Sequence, residues 1–74
     1  MTKQEVICAA IADATQRPRD TILATTRLAE DLGLRSLRRV ELAVVLEGKL
    51  GRPVTDALVM RAQTVGDLFA ALGA

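Results

Sequence analysis

Glu30-Asp31-Leu32-Gly33-Leu34-Arg35-Ser36-Leu37 is the stretch on which the fold turns. A charged, glycine-bearing turn leads into a single serine, and the serine opens an apolar segment. From Ser36 to about Lys49 the spacing predicts a helix, closed by Gly51 and Pro53. At about 100° per residue its apolar positions fall into two stripes. Leu42, Leu46 and Leu50 share one side, and Leu37, Val40 and Val44 share nearly the opposite one. A helix apolar on two sides is buried on both, or buried on one and offered to a partner on the other. In so small a chain little protein is available to cover both.

Upstream, Lys3–Thr15 is predicted helical. Thr2 and Glu5 have the spacing of a capping box, and Val6, Ile7, Ala10, Ile11 and Ala14 define one face. Cys8 falls at the edge of that face as a small, half-buried hydrophobe. Arg17-Pro18 breaks the helix. Asp20 to Arg35 reads as a long, ordered connection, with a short helical turn near Thr21–Ala24 and leucines that anchor it. Downstream, a short helix is expected near Asp56–Arg61, capped by Thr55 or Asp56. A last helix follows Thr64, where Thr64-x-x-Asp67 resembles a capping box, and Gly73 ends it. The expected architecture is all-α: one domain over residues 1–74, a small four-helix bundle of three main helices and one short one, with the long loop between helices one and two.

Composition narrows the chemistry. The 74 residues carry ten basic and nine acidic side chains, a net charge of +1, which is too balanced to point to nucleic acid by itself. The single Cys8 excludes an internal disulfide and suits a reducing compartment. With no histidine the commonest general base and metal ligand is missing. There is no glycine-rich phosphate loop, no Cys/His cluster and no Ser/His pair. Glu30 and Asp31 read as solvated acids or as groups that hold the loop through hydrogen bonds. No apolar run reaches the roughly 18 residues that span a membrane, and Met1–Glu5 lacks a signal-peptide core. A cytoplasmic location is expected.

Taken alone, Ser36 reads as an N-cap, its hydroxyl accepting from a backbone N–H of the first turn. Its surroundings say more. The Glu30-Asp31-Leu32-Gly33 loop, Ser36-Leu37, Val40-Glu41-Leu42, Leu46-Glu47 and Thr64-Val65-Gly66-Asp67-Leu68 together resemble an acyl carrier protein over nearly the whole chain. The resemblance implies 4'-phosphopantetheine on Ser36, transferred from coenzyme A by a separate phosphopantetheinyl transferase, which makes the chain a phosphoprotein. It implies a monomeric thioester carrier of acyl or aminoacyl groups, not an enzyme, served by a loading ligase and by downstream acyl-processing enzymes. Arg35, Leu37, Arg38, Arg39, Val40, Glu41, Val44 and Glu47 are the implied partner-facing residues.

One departure from the family is plain. Its members usually place Asp before the modified serine and acids in the first turn of the helix; here Arg35, Arg38 and Arg39 stand there. Exposed cations at a helix N-terminus oppose the dipole by about 0.3–1 kcal/mol each, so helix stability did not select them. Typical carrier partners present basic patches, and such a surface would repel them. The expectation is therefore a specialised pathway, in secondary metabolism, lipid modification or aminoacyl transfer, rather than housekeeping fatty acid synthesis. Two alternatives remain open from sequence: a small helical nucleic-acid-binding domain using the same three arginines, and an unmodified carrier-like adaptor.

Overall fold

The computed structural model describes residues 1–74, and every regular element in it is helical apart from one isolated bridge. Helix α1 spans Lys3–Thr15, α2 Ser36–Leu50, α3 Asp56–Arg61 and α4 Val65–Ala71, with a single 3-10 turn at Arg19–Thr21 between α1 and α2. The bundle and the long connection follow the sequence expectation, and two details differ. The helical turn in the connection lies nearer Pro18 than Thr21–Ala24, because proline's fixed φ starts a tight turn directly after it. The last helix has only seven residues, so the bundle has two long and two short members.

The caps read from sequence form. The Thr2 hydroxyl accepts from the Glu5 N–H while the Glu5 carboxylate accepts from Thr2, and Thr64 with Asp67 repeats the arrangement at α4. Thr55, not Asp56, caps α3. Helix α2 ends at Gly51 in the left-handed region (φ 65°), a backbone position that favours glycine.

One continuous core of 18 buried, wholly apolar residues sits between the helices. Ile7 and Ile11 from α1, Leu42 and Leu46 from α2, Val59 from α3, Val65 and Leu68 from α4 and Leu28 from the loop are all at or near zero exposure. Each such side chain contributes roughly 1.5–3 kcal/mol by leaving water. Cys8 belongs to this core, deeper than its edge position suggested (5% exposed).

The long connection is held by more than its leucines. The Leu28 N–H donates to the Gln63 carbonyl (2.9 Å), Val65 N–H to Thr26 (3.0 Å) and Gly66 N–H to Ala24 (2.8 Å). The loop thereby satisfies the open N–H groups at the start of α4. A Cβ on residue 66 would meet the Ala24 carbonyl oxygen at 3.1 Å, so the close approach selects glycine there. Ile22, Leu28, Leu32 and Leu34 add their burial in the core along the same segment. The loop therefore delivers Ser36 from a fixed platform.

Candidate functional site

Ser36 sits where three features of the chain meet: the end of the pinned loop, the first turn of α2 and the edge of α3. Asp31 sets the loop. Its carboxylate accepts from the Arg27 backbone N–H (2.8 Å) and pairs with the Arg27 guanidinium (3.2 Å). Those bonds, the backbone one first, hold its pKa below the ordinary carboxylate value. Gly33 follows with φ 66°, and the Leu34 N–H returns to the Leu28 carbonyl at 2.8 Å. The chain then straightens through Arg35 into the helix.

The serine is not the cap. Arg35 occupies the N-cap position with extended backbone and no side-chain cap bond, and Ser36 is the first helical residue. The cause is geometric. The first backbone bond of α2 runs from the Arg39 N–H to the Arg35 carbonyl (2.9 Å), which places Ser36 already inside the turn, at an exposed position. Instead of being consumed by the helix, the hydroxyl stands beside first-turn N–H groups that have no intrahelical acceptor.

The arginines separate into different environments. Arg39 is half-buried and turned inward. Its Nε donates to the Leu34 carbonyl (2.9 Å), and one terminal nitrogen donates to Ala62 (2.8 Å), Met60 (3.2 Å) and Val59 (3.4 Å). The cation thus sits against the carbonyl end of α3, where the helix dipole favours positive charge. Arg38 is exposed and donates to the Ala14 carbonyl at the end of α1 (3.1 Å). Arg35 is exposed. The first turn of α2 holds no acid.

Of the remaining partner-facing candidates, Leu37 is 73% exposed and Val44 69%, while Val40 is half-buried. Glu41 is exposed. Glu47 is exposed too, but its carboxylate accepts from the Val54 N–H (3.0 Å) and fastens the segment after α2. Leu42 and Leu46 are fully buried. Of the two readings of α2 open from its stripes, one side in the core and the other in solvent is the arrangement found.

A shallow open groove of about 240 Å³ runs beside the serine, lined by Ala29, Leu34, Arg35, Ser36, Arg39 and Met60. Ala29 and Met60 were not singled out in the sequence. Met60 belongs to α3, and only the packing of α3 against α2 brings it there. No group of three or more His, Cys, Asp or Glu is arranged to hold a metal, and no helix is long and apolar enough to cross a membrane.

An anionic group attached to the Ser36 hydroxyl fits this setting. The residue is accessible, the neighbouring N–H groups favour anions, the nearby cations favour negative charge, and the groove leaves room for an extended substituent. A family model described as a phosphopantetheine attachment site matches residues 5–72.

Proposed function

The chain belongs to the phosphopantetheine attachment-site family, the acyl carrier proteins, and on that premise we propose that Ser36 carries the arm and that the protein serves a specialised pathway. The family is defined by covalently attached 4'-phosphopantetheine. When bound, the arm supplies a thiol on which acyl or aminoacyl groups are held as thioesters. This chain's own residues hold and present it. The observation that carries the assignment is the Ser36 side chain, exposed at the first turn of α2 and engaged in no cap.

The role of each residue follows from its place. Arg27 and Asp31 fix the loop so that Ser36 projects at a constant position. Open N–H groups at the start of α2 favour the phosphodiester. Leu37, Val40 and Val44 form the face toward a transferase, a loading ligase and acyl-processing enzymes, with Arg35, Arg38 and Glu41 setting its charge. Arg39 belongs to the frame, as its four carbonyl contacts require. The protein itself performs no chemistry; it is a carrier of the cytoplasm, acting as a monomeric domain over residues 1–74. The unusual cations at the serine favour a pathway other than housekeeping fatty acid synthesis. The inward turn of Arg39 also removes one of the three cations that a nucleic-acid-binding reading requires.

The test is a mass measurement. Wild-type protein incubated with coenzyme A and a broad-specificity phosphopantetheinyl transferase is expected to gain one phosphopantetheine, and Ser36→Ala to gain none. No gain with several transferases, or a gain that survives Ser36→Ala, overturns the assignment.

A further inference from the structure

A group attached to Ser36 meets Arg39 where it turns toward the core. Arg39 lies three residues beyond Ser36, so it falls on the same side of α2 about 4.5 Å further along the axis. Both residues line the groove between the loop and α3. There the guanidinium spans the seam. Its Nε holds the Leu34 carbonyl on the loop side, and one terminal nitrogen holds the Val59, Met60 and Ala62 carbonyls at the end of α3. Helix α3 has six residues and one buried side chain, Val59. A helix that short is not stable by itself, so these bonds are a principal tie between its end and α2. The side chains next to the tie, Leu34 and Val59, are core residues at 2% and 0% exposure.

We infer that Arg39 determines cargo specificity: it bars the seam between α2 and α3, keeps the carried group outside the core, and restricts the cargo to short or polar acyl and aminoacyl groups. The carrier reading of Ser36 is the premise. Two observations carry the restriction. The groove holds about 240 Å³ and is open to solvent, less than the roughly 300–1,000 Å³ of pockets that enclose a ligand. To go deeper, a chain must strip a cation from four carbonyls, and bonds from an ionised donor are the strong ones. It must also part side chains that are already close-packed. A long aliphatic group is thereby left in water, where every methylene forgoes its burial, whereas a short or polar group loses little by staying there.

The experiment loads the isotopically labelled full chain from acetyl- and from dodecanoyl-coenzyme A with a broad-specificity transferase, and a mass measurement confirms each product. In the wild type the methyl signals of Leu28, Leu42 and Val59 are expected to be the same for both cargoes, as is the melting temperature. Retention on a hydrophobic column is expected to be longer for the dodecanoyl form. Arg39→Met keeps an apolar stem of similar reach and removes the guanidinium. In it the dodecanoyl form is expected to shift those methyl signals, to melt at least about 4 °C above the acetyl form, and to lose its extra retention. Arg39→Lys, which keeps the charge without the planar fork, is expected to fall between the two and supplies the contrast where Arg39→Met does not fold. Chain-length-dependent methyl shifts or a higher melting temperature in wild-type dodecanoyl protein overturn the inference, and so do variants that match the wild type in every readout. Absence of any mass gain at Ser36 overturns the carrier reading and this inference together; a mass gain with core shifts overturns this inference alone.

Discussion

The Arg39 guanidinium donates to the Ala62 carbonyl oxygen at 2.8 Å, joining the first turn of α2 to the segment between α3 and α4. The same side chain reaches Leu34, Met60 and Val59. Truncating it leaves those acceptors partly unpaired at the end of α3. Arg39→Ala is expected to lose about 2 kcal/mol, in keeping with bonds to a charged donor. Arg39→Lys should recover only part, because an ammonium lacks the planar fork. Arg35→Ala should stay within about 0.5 kcal/mol of wild type. Urea midpoints of the three variants check the contrast; equal losses for Arg35→Ala and Arg39→Ala would show that Arg39 is no frame residue.

Ser36→Ala should leave stability within about 0.5 kcal/mol of wild type, since its hydroxyl caps nothing. Thr64→Ala, which removes a real cap, should lose about 1 kcal/mol. Thermal unfolding of the two variants side by side measures this. A large loss for Ser36→Ala would mean that the hydroxyl is structural.

The two sides of α2 should respond oppositely to truncation. Leu46→Ala removes a fully buried side chain and is expected to lose about 2–5 kcal/mol. Leu37→Ala, at a 73% exposed position, should change stability by less than about 0.5 kcal/mol, while slowing modification by the transferase. Denaturation and holo-protein formation rates separate the two effects.

Acid should destabilise the protein through carboxylates that accept backbone N–H bonds. Asp31, Asp67 and Glu5 are all held below their ordinary values, each first by a backbone bond, from Arg27, Gln63 and Thr2 respectively. Their contribution is complete above the unfolded-state values near 4 and is lost as pH falls through the lower native ones, because the unfolded chain then binds protons that the native state refuses. Stability measured from pH 7 downward should hold to about pH 5 and then decline. Asp67→Asn should flatten that decline; an unchanged acid limb would rule Asp67 out as a contributor.

Cys8 offers a probe of opening. Burial pushes its thiol up, so the unfolded chain ionises first, and stability should fall as pH rises past about 8.5. Thiol reagents should label native protein at least about a hundredfold more slowly than protein in denaturant. Comparable rates would place Cys8 outside the core.

By itself the sequence determined the helices, the threonine caps at Thr2 and Thr64 and the attachment-site pattern around Ser36. These are local: a Thr-x-x-Glu spacing, a 3.6-residue period and a glycine after a helix each act within a turn or two of the chain. Tertiary structure decided the rest. Ser36 reads as a cap until the Arg39 N–H bond to the Arg35 carbonyl shifts the helix start by one residue. Arg39 reads as surface charge until α3 brings the Val59, Met60 and Ala62 carbonyls to it from 20 or more residues away. The loop reads as leucine-anchored, and its backbone bonds to the start of α4 are invisible in any pattern. A backbone carbonyl carries no residue identity, so an interaction with one leaves no mark in the sequence.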